Sequence, residues 1–309
     1  MTAAPAPSPR SVAPFALALS GGGLLGAAHL GVLAVLDEAG LQPAAVAGTS
    51  AGGLVAGLLA LGVPARRIQE VGAAVAARPW DYFGVNAEGL LHDLWPGGRR
   101  PATGLISPRR FLQALLALAP RARSTRDWLC PCAVTAVDVV SLTAVAFAHP
   151  APPPPRGGPW LVVDDVPLEL ALGATMAIPG LFVAPRWGRR VLVDGGVADT
   201  LPMDWARALG PDRVVAVTVT APPPVEGETL GITGVLSRAD AYWTETLSRL
   251  RAPRAPVFTI APDTTGVPFF GFGDYAKLVE AGRRAAAAAL PDLLAFLAPE
   301  APLRRIGAG

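Results

Sequence analysis

Histidine is nearly absent from this chain. Its 309 residues include only His29, His92 and His149, and none occurs after residue 149. That excludes the serine–acid–histidine order of an α/β-hydrolase triad, in which the histidine comes last. Cysteine is just as scarce. Cys130 and Cys132 share one Cys-Pro-Cys, too little for a disulfide framework and a poor metal clamp without histidines nearby. They read as two reduced thiols entering a strand, and no metal site is expected. Charge of either sign is sparse: 16% of residues are charged, with a net charge of +2. The arginine pairs (Arg99-Arg100, Arg109-Arg110, Arg189-Arg190, Arg283-Arg284) are scattered and read as solvated. No basic block is interleaved with aromatics, so no nucleic-acid partner is expected. A long unbroken apolar run is also missing. The stretch from Pro43 to Ala65 has the length of a membrane span. Its five glycines, Thr49 and Ser50 instead argue for a buried strand followed by a helix. The first ten residues show no apolar segment behind a basic one, so no secretory signal is expected. The expected setting is cytoplasmic, with peripheral membrane association as an added expectation.

What the chain has in quantity is glycine, 34 residues, and proline, 33. Phe15 to Leu19 reads as a short buried strand and Gly21-Gly22-Gly23 as a sharp turn. Leu24 to Ala39 reads as an amphipathic helix closed by Gly40. A second strand over Ala44 to Ala47 leads into helices over Gly53 to Gly62 and Pro64 to Arg78. Further on, strands are expected at 131–137, 142–148, 191–193, 214–219 and 257–260. Helices are expected at 108–118, capped by Ser107, and at 165–177, capped by Asp165, as well as at 239–251 and 275–296. The alternation predicts an α/β fold, three-layered as α/β/α, with a mostly parallel or mixed central sheet. One domain over 15–296 is expected, with tails at 1–14 and 297–309. Within it, 79–104 lacks periodicity and holds Trp80, Tyr82, Phe83 and Trp95. It opens a lid or substrate-access region extending over 79–128.

Three short motifs carry chemistry. Gly48-Thr49-Ser50-Ala51-Gly52 fits the G-x-S-x-G nucleophile elbow and stands between a strand and a helix, the context in which that pattern presents a serine. A serine hydroxyl needs a base at neutral pH. His29 falls on an apolar helix face, and His92 and His149 sit in no motif. The best base is Asp194, at the end of a strand and followed by Gly195 and Gly196. An aspartate can serve when its surroundings favour its protonation. The third motif, Gly21-Gly22-Gly23-Leu24-Leu25-Gly26, would turn backbone N–H groups toward developing negative charge, as an oxyanion hole does. The same letters satisfy the G-x-G-x-x-G dinucleotide fingerprint. That reading needs an acidic residue at the end of the next strand, where Ala47-Gly48-Thr49-Ser50 stands instead.

With these motifs in this order, the chain resembles the patatin-like phospholipase family of the bacterial type. The resemblance is carried by Leu19 to Leu33, Ala47 to Gly52, Ala174 to Phe182 and Val193 to Val197, and extends over about 15–295. It implies a serine–aspartate dyad hydrolase with Ser50 as nucleophile and Asp194 as general base. Gly21, Gly22 and Gly23 would lie in the oxyanion turn, and Gly26, Gly48, Gly52, Gly195 and Gly196 would support the motifs. It also implies lipid acyl esters as substrates, of phospholipase A, lysophospholipase or carboxylesterase type, and neither metal nor organic cofactor. One position departs from the pattern: Leu25 stands where the family usually carries Arg or Lys. That departure motivates an alternative, a catalytically weak lipid-binding or regulatory protein on the same fold. An acyl substrate needs an apolar cleft, and Leu24, Leu25, Leu54, Trp80 to Phe83 and Phe269-Phe270-Gly271-Phe272 are the candidate lining.

Overall fold

The computed structural model describes residues 12–87, 89, 102–155, 159–219, 242, 246, 256–268 and 271–299. The expected tails up to residue 11 and from residue 300, His92, Trp95, Arg99-Arg100, Phe269, Phe270 and most of the expected helix over 239–251 lie outside these residues.

The described strands, in chain order, are β1 (Phe15–Leu19), β2 (Ala45–Gly48), β3 (Gly84–Val85), β4 (Gly104–Ser107), β5 (Cys132–Asp138), β6 (Thr143–His149), β7 (Trp160–Val163), β8 (Gly180–Phe182), β9 (Arg186–Trp187), β10 (Arg190–Asp194), β11 (Arg213–Val217) and β12 (Val257–Ile260). The helices are α1 (Ala27–Glu38), α2 (Ala51–Ala60), α3 (Ala65–Ala77), α4 (Pro79–Tyr82), α5 (Arg109–Leu116), α6 (Leu168–Thr175), α7 (Met203–Ala208) and α8 (Tyr275–Phe296). Nine of the strands form one mixed sheet. Its order β12-β11-β1-β2-β5 is parallel throughout, while β6 and β10 join β5 antiparallel. A small second sheet runs β3-β4-β8.

The edge of β5 opposite β6 is divided between two neighbours. Cys132 to Val134 pair with Val46 to Gly48 of β2, and Ala136 to Asp138 pair with Leu192 to Asp194 of β10. Because β2 runs with β5 and β10 runs against it, the two strands meet head to head. Their C-terminal ends face each other, and only Thr135 lies between their levels.

The strand sequences also divide the sheet into unlike faces, since successive side chains point to opposite sides. In Phe-Ala-Leu-Ala-Leu of β1, the residues Phe15, Leu17 and Leu19 join the large core with α1, α2, α6 and α8. Ala16 and Ala18 face the other way, alongside Ala45, Ala47, Ala133, Ala146 and Ala216. That alanine face is covered by α7, whose Trp205 is fully buried and packs edge-on against Trp160 at 5.0 Å between ring centroids. Helices thus lie on both faces of the sheet, a three-layer α/β/α arrangement.

Several local expectations are corrected. The span Leu24 to Ala39 is a 3-10 turn over Gly23–Gly26 followed by α1. Asp165 does not cap α6: the capping position is Pro167, and the Asp165 carboxylate lies 3.5 Å from Arg126 Nε. Ser107 does not cap α5, because it is the last residue of β4. The segment expected to be irregular over 79–104 holds α4, β3 and the start of β4, elements too short to show a period. The presumed tails reach into the fold: Ala13 and Leu297 are buried, and the Ala13 amide donates to the Leu297 carbonyl at 2.8 Å.

One large anchor on a face otherwise made of alanines leaves little that can collapse into its space. Trp205→Ala is therefore expected to cost about 3–5 kcal/mol, measured by urea unfolding. A loss below ~1 kcal/mol would show that the alanine face closes over the gap.

Candidate active site

Ser50 sits where β2 ends and α2 begins, with φ 55° and ψ −125°. A non-glycine residue rarely takes this conformation, and holding it there costs of order 1–3 kcal/mol. The neighbours explain how it is held. The Ser50 amide donates to Thr175 Oγ1 at 2.9 Å, fixing the turn against the end of α6. Gly52 lets α2 start directly against β1: a Cβ there would lie 2.4 Å from the Leu19 carbonyl oxygen. Thr49 donates its hydroxyl proton to the Asp199 carbonyl at 2.8 Å, and its oxygen lies 2.6 Å from Thr135 Oγ1. With the Thr49 proton committed, Thr135 is the donor of that pair. The threonine between the levels of the two facing strands therefore ties the elbow to β5.

The facing strand delivers Asp194. Ser50 Oγ donates to Asp194 Oδ2 at 2.6 Å, the length of a charge-assisted O–H···O⁻ bond. The other oxygen, Oδ1, accepts from the Gly196 amide at 2.8 Å, which orients the carboxylate. Both residues are buried, with 6% and 5% exposure. The structure thus brings together Ser50 and Asp194, with Gly48 and Gly52 on one side and Gly195 and Gly196 on the other.

The glycine turn lies alongside. β1 and β2 are adjacent and parallel, with Leu19 opposite Gly48, so the chain after β1 passes the elbow. A Cβ at Gly21 would touch Ser50 Cβ at 3.3 Å. The Gly21 amide donates to the Thr200 carbonyl at 2.9 Å and is occupied. Gly22 (φ 151°) and Gly23 (φ 56°) shape the turn, and their amides have no hydrogen-bond partner among the described residues. Gly26 packs against the elbow, where a Cβ would lie 2.5 Å from Ala51 Cβ.

From Ser50 a cleft of about 460 Å³ opens, and none of the described residues lining it is charged. Leu54 and Leu58 line it one and two turns along α2, ~6 and ~12 Å beyond Ser50. Leu24, Trp80, Phe83 and Phe272 contribute as anticipated, whereas Leu25 does not. Leu25 is buried in the large core beneath the turn. Residues of the 79–128 segment line the cleft as well, with Phe83 packed 5.1 Å from Phe111 and 5.6 Å from Phe182. Among the described residues, no group of three or more His, Cys, Asp or Glu converges as a metal site would require.

His149 belongs elsewhere. Its Nδ1 lies 2.6 Å from Asp164 Oδ1, at a position opposite Cys132, level with Val46 and so behind the elbow. The threonines at 49, 135 and 175 were not singled out from the sequence, because their contacts join segments 86 and 125 residues apart. His29 is more involved than its helix position suggested. It is fully buried, and its Nε2 lies 2.8 Å from the Ser20 carbonyl oxygen, just before the glycine turn. Since a carbonyl only accepts, Nε2 carries the proton. Desolvation pushes the His29 pKa down to about 4, and the bond to Ser20 only partly opposes it. The unfolded side chain titrates near ~6.5, so between these values the unfolded state takes up a proton that the native state refuses. Stability therefore falls as the pH drops through this window, by up to about 3 kcal/mol at pH ~4. His29→Gln keeps a donor for Ser20 and does not titrate. Its urea-unfolding free energy is expected to fall less than that of the wild type between neutral pH and pH ~4, and parallel losses would contradict the assignment.

Comparison with known proteins identifies the relatives of this chain. A family model described as patatin-like phospholipase matches residues 17–207, which contain the glycine turn, Ser50 and Asp194. An uncharacterised NTE family protein of Mycobacterium tuberculosis is 30% identical over 204 residues, 66% of this chain and 48% of that protein. Patatin-like phospholipase domain-containing protein 6 of Homo sapiens is 28% identical over 219 residues, 70% of this chain and 14% of that protein. This chain thus spans about half the length of the mycobacterial relative and a much smaller share of the human one. Among solved structures, VipD from Legionella pneumophila has 14% identity and a TM-score of 0.42, covering 92% of this chain and 69% of its own. The match over 17–207 takes in more than half of the chain, and the chain belongs to the patatin-like phospholipase family.

Proposed function

We propose that this chain is a serine acyl hydrolase of lipid esters working through a Ser50–Asp194 dyad. The observation that carries the reading is the 2.6 Å contact between Ser50 Oγ and Asp194 Oδ2 at a cleft whose described lining is uncharged. Family membership supports a lipid ester as the substrate class. In this reading Ser50 Oγ attacks the ester carbonyl carbon while its proton passes to Asp194 Oδ2. The charge that develops on the carbonyl oxygen is met by the amides of Gly22 and Gly23 and by the N-terminal end of α2. Gly21 shapes the turn without donating, since its amide already serves Thr200. Collapse of the tetrahedral species breaks the ester C–O bond, and the leaving alcohol takes the proton from Asp194. Water, deprotonated by the same carboxylate, then attacks the acyl-serine and releases the acid. No step calls on a metal or an organic cofactor.

The acyl chain would lie along α2 past Leu54 and Leu58. Burial of each methylene contributes about 0.8 kcal/mol, so the cleft favours longer chains. Trp80, 75% exposed at the cleft, suits contact with a lipid surface, where an aromatic ring can stand between apolar and wet surroundings.

Ser50→Ala and Asp194→Asn are each expected to lower p-nitrophenyl ester turnover by at least about a thousandfold. Ser50→Ala should also abolish labelling by a fluorophosphonate probe. Turnover near wild type in Ser50→Ala would overturn the mechanism, and turnover without any labelling would point to another nucleophile. Leu58→Trp fills the far end of the cleft. It is expected to depress hydrolysis of p-nitrophenyl laurate several-fold while sparing the butyrate; equal effects on both would place the acyl chain elsewhere.

A further inference from the structure

The turn joining β5 to β6 displays large apolar side chains to solvent. Val139 is 42% exposed, Val140 61% and Leu142 83%. Leu142 also has φ 54°, the left-handed region that glycine and asparagine tolerate and a branched apolar residue does not favour. Burial offsets neither the exposure nor the strain. Such a turn would ordinarily be loose, yet this one is fastened from below. Asp138, 1% exposed, accepts from Ser141 Oγ at 2.5 Å and from the Val140 amide at 3.1 Å. It also accepts from Arg190 Nη1 at 2.8 Å and from the Val191 amide at 3.3 Å. The Val139 amide donates to the Val191 carbonyl at 3.0 Å, joining the turn to β10. The apolar tip is therefore held rigid, and its side chains need not be ordered on binding.

Its neighbours are cationic. The two-residue turn between β9 and β10 carries Arg189, flanked by Arg186 on β9 and Arg190 on β10. Arg186 and Arg189 are exposed. The carboxylate facing this group, Asp138, is already engaged with Arg190. The tip stands at the end of the sheet where the dyad lies. Asp194 is opposite Ala136, and β5 runs two residues beyond that level before turning, roughly 7 Å at strand rise.

We infer that the β5–β6 tip, with Arg186 and Arg189 beside it, docks the protein on an anionic phospholipid surface. Val140 and Leu142 enter the acyl boundary while the arginines meet headgroup phosphates. This deepens the lipid-hydrolase reading and rests on it for the identity of the surface, but the docking needs no catalysis. Membrane insertion would give Leu142 the apolar surroundings that the protein itself withholds.

The test uses the full chain carrying Ser50→Ala, so that vesicles are not consumed, and measures co-sedimentation with vesicles of phosphatidylcholine alone or with phosphatidylglycerol. The parent should bind the mixed vesicles more tightly, and the difference should shrink as salt is raised. Adding Val140→Ser and Leu142→Asn should weaken binding at least about tenfold. Asparagine suits the left-handed site, so Tm should hold or rise, which separates lost docking from lost folding. Adding Arg189→Glu, at an exposed turn, should weaken binding several-fold on the phosphatidylglycerol vesicles only. The proposal is overturned if the parent binds neither vesicle, or if all variants bind as the parent does. Turnover of a soluble short-chain ester, measured with Ser50 restored, is expected to be unchanged by the tip substitutions. An inactive wild type with tip-dependent vesicle binding would sink the hydrolase reading and leave the docking standing.

Discussion

The structure depends on two strands that meet head to head along one edge of β5. A parallel β2 ending at Gly48 and an antiparallel β10 ending at Asp194 leave a gap one residue long, at Thr135. Everything chemical sits in or beside that gap. The elbow cannot continue straight, so it turns into α2 and exposes Ser50. One oxygen of the Asp194 carboxylate accepts from the Gly196 amide and the other meets the serine hydroxyl. Thr135 and Thr49 close the seam with hydroxyls that leave the Ser50–Asp194 bond undisturbed. Two strands running the same way would have carried their ends past one another and kept the two groups apart.

The uneven faces of the sheet serve the same end. On the large face, α1, α2 and α8 need bulky strand residues to pack against, and the space between α2 and α3 and their neighbours becomes the cleft. On the other face, alanines let α7 approach closely with a single tryptophan as anchor. The chain after α7 leads to β11, which flanks β1 and holds the root of the glycine turn: Ser20 donates its amide to the Val217 carbonyl. His29 braces the same root from inside α1. The turn is thus supported from both layers, while its outward amides at Gly22 and Gly23 stay clear.

Much of this was legible in the sequence. The elbow, the glycine turn and the Asp-Gly-Gly declared themselves because each needs residues that little else requires. Phe15 to Leu19 and Tyr275 to Phe296 came out with their limits intact because their patterns are long or sharply bounded. What stayed hidden was relational. Val191-Leu192-Val193 reads the same whether the strand runs with or against β5, so the head-on meeting could not be foreseen. Thr175 lies within a recognised stretch, but its bond to the Ser50 amide joins residues 125 positions apart. Leu25, an apolar residue where the family usually carries a cation, was a candidate for the cleft lining; the 3-10 turn puts Leu24 at the cleft and Leu25 in the core.

The 144 residues separating Ser50 from Asp194 have a consequence for the life of the protein. The strands and helices around the elbow, β1, α1, β2 and α2, are contiguous within the first 60 residues, although Thr175 and Thr135 later fasten the turn itself. The carboxylate arrives only when β10 docks on the far half of β5. A chain emerging from the ribosome therefore carries Ser50 without the Asp194 carboxylate for nearly half of its synthesis. The Ser50–Asp194 contact therefore forms in one step, when a long-range strand pairing closes. A molecule in which β10 has come away from β5 loses that contact while β1, α1, β2 and α2 still stand together.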